Sequence, residues 1–215
     1  MKRLEKMSDV EKKQQAIRIN FFKEILNLLE NMSWSENLVS IAESNMGLYS
    51  GYNRIIFPSG IQEIVSAFEK WLDQQMLEQL SALDKPKKIR DQIAQALEIR
   101  ILSVTSKKVA LRCCGYYLVP GNIMAGAESV CHSCDIIWKY AGDKSSDYNY
   151  YTKRGLLFAV YGAARTFYLG DNSVDHKDTK DFIKNALDNI INIASFKNNI
   201  KLPKMEDIPI VRFFS

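Results

Sequence analysis

The sequence predicts an all-α protein, a bundle of about nine helices. Apolar residues recur at three- and four-residue spacing along most of the chain, as in Ile17, Phe21, Ile25 and Leu28, or Ile64, Phe68 and Leu72. Helix-ending signals separate these runs: Gly47, Phe57-Pro58-Ser59-Gly60, Pro120-Gly121 and Gly142. At 215 residues the chain is long enough for a sizeable core in one large or two small domains.

Ser8 and Glu11 form a capping box that opens the first helix, in which each side chain satisfies a backbone donor. Phe22 and Leu29 flank its Ile17–Leu28 stripe, and it ends near Met32. A short second helix carries Leu38, Ile41 and Ala42 inward. A third spans residues 49–56 and is closed by Pro58. A long helix follows with Ile61, Ile64, Val65, Phe68 and Leu72 on one side. Pro86 suits a first helical turn, after which Ile89, Ile93, Leu97 and Ile101 face in. Residues 109–119 form a short apolar helix. The helix over 123–140 is rich in small residues, among them Ala125, Gly126, Ala127, Ser129, Cys131, Ser133 and Cys134. Small side chains allow close helix approach or leave room for a ligand.

That helix ends at a polar corner, with Gly142 as its left-handed cap and Ser146 or Asp147 capping the next. From 155 to 169 only Arg165 and Thr166 are strongly polar, so this helix reads as buried on most of its circumference. Tyr148, Tyr150 and Tyr151 stand at its entrance beside Lys153 and Arg154. Aromatics mixed with charges suit a surface that meets another molecule. On spacing alone, tyrosines that cover the protein's own core remain the alternative. The last long helix, 178–196, puts Phe182, Ala186, Ile190, Ile193 and Ala194 on one stripe with Ile183, Leu187 and Ile191 beside it. This arc is wider than one partner helix needs. The tail, 197–215, mixes apolar and basic residues as membrane-interface segments do, but Pro203 and Pro209 forbid one continuous helix, and a tail folded over its own bundle is an equal alternative.

Composition narrows the function. A 25% share of charged residues and a 47% hydrophobic share describe a globular chain, and a net charge of +4 is too mild to establish a nucleic-acid or membrane partner. Four cysteines in a chain this long fit a reducing compartment better than a disulfide framework. The first 16 residues lack the apolar run of a secretory signal, and their acids fit a transit peptide poorly. Cys131, His132 and Cys134 fall short of the four ligands of a structural zinc. No phosphate loop, Ser-His-Asp set or di-iron pattern stands out, so no catalytic residue is assigned.

The pattern Asp-x-x-Trp-x-Tyr-Ala-Gly-Asp-x-Ser-x-Asp-x-Asn-x-Tyr-Thr-Lys-Arg at 135–154 resembles the ubiquinone-biosynthesis accessory proteins, the ninth member of the coenzyme Q pathway. The resemblance continues through Val160, Tyr161, Leu169, Asp171 and Ser173, and is looser at Leu97, Glu98, Ile99 and Arg100 and at residues 118–123. It implies a TetR-like bundle: a degenerate helix-turn-helix region (1–60), a lipid-binding and dimerisation domain (61–196) and the tail. Repressors of that fold usually contact DNA phosphates through an aromatic and a lysine, where this chain has Arg54 and Gly60. The helix-turn-helix therefore reads as retained architecture without a nucleic-acid partner, and a TetR-type ligand-responsive regulator is the rival reading.

The resemblance further implies a non-enzymatic homodimer, with no cofactor but a bound isoprenoid or phospholipid. It would present aromatic isoprenoid quinone intermediates at a membrane surface to the di-iron demethoxyubiquinone hydroxylase. The lipid is expected between the helices over 123–140 and 155–169, against Ala127, Val130, Cys131, Cys134, Trp138, Leu157, Val160 and Tyr161. The hydroxylase is expected at Asp143, Asp147, Tyr150, Tyr151 and Arg154, with Asp143 and Asp147 as corner caps. The expected location is cytoplasmic and peripheral to the inner membrane, or the matrix side of a mitochondrion after processing.

Overall fold

The computed structural model describes residues 9–144 and 148–197, with side chains described for 11–144 and 150–189. Ser8, Ser146, Asp147 and the tail from 198 onward lie outside these residues, as do the side chains from Ile190 on. The described elements are all helical: α1 (Asp9–Leu28), α2 (Glu36–Asn45), α3 (Asn53–Ile56), α4 (Ile61–Ser81), α5 (Ile89–Glu98), α6 (Lys107–Leu118), α7 (Ile123–Tyr140), α8 (Tyr148–Gly170) and α9 (Lys177–Lys197). A π-helical turn, Ile99–Ser103, continues α5, and 3-10 turns at Pro120–Asn122 and Val174–His176 lead into α7 and α9.

The N-terminal helices close over α4 through aromatic side chains. Phe21, Phe22, Ile25 and Leu29 are buried against Phe57, Phe68 and Trp71, with Phe21 and Phe57 centroids 5.8 Å apart and Trp34 edge-on to Phe68 at 5.4 Å. Each fully buried side chain of this size contributes roughly 1.5–3 kcal/mol. Ser35 caps α2 by accepting from the Leu38 amide at 3.2 Å. Val39 enters the core where Ile41 was expected, and Ile41 is half-buried.

The third helix is one turn, where the sequence predicted 49–56. The buried Glu43 carboxylate accepts from the amides of Gly51 (3.1 Å) and Asn53 (2.6 Å) and from the Asn53 side chain (2.7 Å). Those bonds hold residues 49–52 in a turn, with Gly51 at φ +84°, so helical bonding starts only at Asn53.

Ile93, Leu97 and Ile101 are buried as expected, whereas Ile89 is exposed and Pro86 lies in the loop ahead of α5. The π turn places three consecutive residues, Ile99, Arg100 and Ile101, in the interior. On α8 the expectation of near-complete burial fails. Leu157, Val160, Tyr161, Ala164 and Tyr168 are buried, but Gly155, Ala159, Gly162, Ala163 and Thr166 are exposed. Those residues are small, and the large apolar side chain exposed on α8 beyond them is Phe167, 41% exposed and stacked on Phe182. On α9 the buried line is Ile183 and Leu187, with Phe182 and Ala186 beside it, one residue round from the stripe expected.

Candidate functional site

The α7–α8 corner is built from its backbone outward. Gly142 has φ +84°, and the amides of Gly142 and Asp143 donate to Lys139 and Trp138 carbonyls at 3.0 and 2.9 Å. This double bond pair satisfies the last carbonyls of α7, and only a residue free to take positive φ permits it cheaply. The chain then turns back, so that α8 runs antiparallel against α7.

Side chains lock the two helices together. Arg154 of α8 donates from Nε to Asp135 at 2.8 Å and from a terminal nitrogen to Asp143 at 3.2 Å, while its guanidinium lies 3.4 Å from the Tyr150 ring centre. The Tyr150 hydroxyl donates to Asp135 at 3.1 Å, and Lys139 pairs with Asp135 at 2.5 Å. Lys153 pairs with Asp143 at 2.8 Å, and its carbonyl accepts from the Trp138 indole at 3.1 Å. Burial would raise the Asp135 carboxyl, but Lys139, Arg154 and Tyr150 outweigh it and hold it below the usual range. Burial would lower the Arg154 guanidinium, and Asp135 and Asp143 hold it above its ordinary value.

Tyr150 is thus half-buried within this clamp. Tyr151, about 100° round the helix, is 73% exposed and meets Tyr150 edge-on at 5.1 Å. Among the described side chains, the corner is a charged clamp that leaves Tyr151 exposed. Asp143, expected as a cap, reaches across the corner to Lys153 and Arg154. Asp147 lies outside the described residues.

The residues expected to line a lipid site, on α7 and α8, differ in burial in this conformation. Cys134, Leu157, Val160 and Tyr161 are buried in the core, Ala127, Val130 and Trp138 are half-buried, and Cys131 is exposed. Among the small residues of α7, Gly126 serves close approach. A Cβ on Gly126 would lie 2.8 Å from the Tyr117 ring of α6. Burial pushes the Cys113 and Cys134 thiols up to about 12, which leaves them poor nucleophiles. Among the described residues no three His, Cys, Asp or Glu side chains converge to hold a metal ion.

Sequence reading missed a buried ionic cluster beside this interface. Glu69 and Asp73 lie one turn apart on α4, and Arg100 donates to both, at 2.5 and 2.7 Å. Ser133 donates to Asp73 at 2.7 Å, His132 lies 3.0 Å from it, and Arg165 of α8 stands 3.7 Å from Glu69. Burial would raise the Asp73 carboxyl, yet Arg100, His132 and Ser133 keep it below its ordinary value. Burial would also lower Arg100, and Tyr161, Glu69 and Asp73 reverse that. A void of about 10 Å³, the size of one water, lies against Arg100, Thr105, Tyr161 and Arg165. The available signal was two carboxylates at i and i+4 on the inward face of α4, with an arginine between Leu97 and Ile101.

Two open grooves lie elsewhere. One of about 530 Å³ runs between α5 and the start of α9, over Leu83, Ile99 and Leu102 with Glu98, His176 and Lys180 on its walls. One of about 180 Å³ lies between α1 and α4, by Arg18, Phe22, Lys70 and Trp71.

Similarity to known proteins includes the α7–α9 region. A family model described as COQ9 matches residues 123–194. The probable ubiquinone biosynthesis protein coq9, mitochondrial, of Dictyostelium discoideum is 32% identical over 198 residues, covering 86% of this chain and 63% of that protein. The ubiquinone biosynthesis protein COQ9, mitochondrial, of Homo sapiens is 30% identical over 132 residues, covering 60% of this chain and 41% of its own. That of Rattus norvegicus is 25% identical over 209 residues, covering 92% and 65%. The chain therefore spans less than two thirds of the length of each. A long specific pattern at 135–154, an all-helical fold and these matches agree, and the chain belongs to the COQ9 family.

Proposed function

We propose that this chain is a non-catalytic accessory protein of ubiquinone biosynthesis that binds aromatic isoprenoid intermediates and presents them to the di-iron demethoxyubiquinone hydroxylase. The observation that carries the reading is the α7–α8 corner, where Tyr151 is displayed on a fixed charged platform inside the stretch that the family model matches. An exposed aromatic held beside an arginine has the composition of an interface hot spot. The relatives' names support the pathway.

An isoprenoid tail loses roughly 0.8 kcal/mol for each CH₂ exposed to water, so a carrier between bilayer and enzyme needs an apolar lining. The α7–α8 interface is apolar but closed, so isoprenoid enters it by parting the helices around Ala127 and Val130. A second copy of the chain is the partner we assign to the open small-residue face of α8, because glycine and alanine allow helices to approach closely.

Organic extraction of the purified protein, followed by mass spectrometry, tests the carrier role. Isoprenoid quinone intermediates are expected in wild type and should be depleted in Ala127→Trp at unchanged melting temperature. Protein that carries no isoprenoid, yet still supports the hydroxylase, would make it a structural partner only. Against the rival regulator, α3 is one turn long, and Gly60 stands where repressors of this fold usually carry a phosphate-contacting lysine. Tight, sequence-specific binding of duplex DNA near physiological salt would restore it.

A further inference from the structure

We propose that the corner joining α6 to α7 is a membrane-inserting tip, which seats the protein on a phospholipid surface. Leu118 and Met124 are 76% and 72% exposed, Val119 and Ile123 are each more than half exposed, and Leu111 lies two turns before Leu118 on the same face of α6. One exposed leucine needs no explanation, but a cluster at a single turn does. Residues 113–127 contain no Asp, Glu, Lys, Arg or His. Along the two helices themselves, the nearest charges inward are Glu128 on α7, about 6 Å behind Met124, and Arg112 on α6, about 9 Å behind Leu118, at 1.5 Å per residue. Burial and the nearby Glu36 of α2 raise the Tyr116 hydroxyl. Arg112 is turned away, to the Leu29 carbonyl. An uncharged cap of that depth matches the roughly 5–10 Å to which interfacial segments sink.

Part of the corner's polar surface is satisfied internally, although Asn122 gives the first amides of α7 no side-chain cap. The Asn122 amide donates to Val119 at 2.8 Å, and the Asn122 side chain donates to the Tyr116 carbonyl at 3.0 Å, so two groups at the turn are satisfied internally. Tyr116 stands just behind the tip, half-buried, where tyrosines settle at a lipid–water boundary, whereas the Tyr117 hydroxyl is buried in the interior. Side chains this exposed project outward and do not line a groove, which favours a deformable lipid surface over a helix or strand from another protein. The tip also lies at the far end of the 18-residue α7 from the Tyr151 corner, about 27 Å along the helix. The protein can therefore sit on a bilayer while its other end stays free.

The proposal shares with the accessory-protein reading only a membrane as partner. The test uses the full chain with phosphatidylcholine–phosphatidylglycerol vesicles. Wild type is expected to co-sediment, and the double variant Leu118→Asp with Met124→Asp to bind about tenfold or more weakly, with melting temperature and solution mass unchanged. Leu118→Trp should retain binding, and its added emission should shift to the blue and be quenched by brominated acyl chains. Sedimentation without quenching, or undiminished binding by the double variant, would place membrane contact elsewhere and overturn the proposal. A change in solution mass in the double variant would overturn it in favour of a second copy at the corner. Quenching in protein that carries no isoprenoid would uphold the tip while removing the carrier role.

Discussion

Tyr150 and Tyr151 are neighbours in sequence with different duties. Tyr150 stacks on Arg154 and donates to Asp135, whereas Tyr151 is largely in solvent. Replacing Tyr151 by Lys should weaken hydroxylase binding by about 2 kcal/mol, as hot-spot truncations commonly do, and leave the melting temperature near wild type. Tyr150→Lys should weaken binding and also lower stability by about 1–2 kcal/mol, because it removes the ring over the guanidinium and a bond to a carboxylate. Asp143→Ala belongs with Tyr150, since it strips a partner from Lys153 and Arg154. Pull-down read beside a melting curve separates the two classes, and equal stability losses at both tyrosines would refute the division. The 100° offset made one exposed tyrosine legible in the sequence. Which of the two it is depended on Asp135, one helix away.

α7 shows at the scale of an element why small residues are ambiguous in a sequence. Its glycine and alanines could line a cavity or admit a neighbour, and in this conformation Gly126 admits Tyr117. Gly126→Ala gains up to about 1 kcal/mol of helix propensity but drives a methyl into the base of the tyrosine ring, at a cost of roughly 1–3 kcal/mol. The variant should therefore melt lower than wild type, and a higher melting temperature would show that α6 and α7 are looser than described. The open face of α8 leads to a second expectation. Arginine at Ala159 or Gly162 should leave the monomer's fold intact and abolish a homodimer built on that face, as light scattering would report. An unchanged mass would exclude the face as the dimer seam. Both helices were placed correctly from periodicity and their end signals. Their burial was not, because hydropathy counts side chains without knowing which neighbours reach them.

The buried cluster ties α4, the π turn, α7 and α8 into one body through Glu69, Asp73, Arg100, Ser133 and Arg165. Removing one member strands the others in low dielectric. Arg100→Met should cost about 3–5 kcal/mol, and adding Glu69→Gln and Asp73→Asn should recover part of it. Failure to recover would mean that Arg100 acts through packing alone. The same groups set the response to acid. The Asp73, Asp135 and Asp171 carboxyls all sit below their ordinary values in the folded chain. Unfolding returns them to about 3.9, so the unfolded chain takes up protons first as pH falls. Their stabilisation is complete above about pH 4 and is lost through the lower folded values. Glu98, raised by burial, acts in the opposite sense, its contribution fading as pH rises. Melting temperature should thus fall steeply below about pH 4, and a flat profile down to about pH 3 would contradict the assignment.

The sequence by itself determined the helices, most of their ends and the family, because these rest on local spacing, on Gly and Pro, and on one long pattern. Gly142 needed only its own backbone freedom to mark the end of α7. Tertiary structure alone decided the length of α3, the π turn and the state of the α7–α8 interface. Each depends on a group distant in sequence: Glu43 captures the amides before Asn53, Glu69 and Asp73 draw Arg100 inward, and Tyr117 fills the space at Gly126. Local propensity fixes what a segment can become, whereas buried charges and close-packed side chains are satisfied only by partners that the folded chain brings to them.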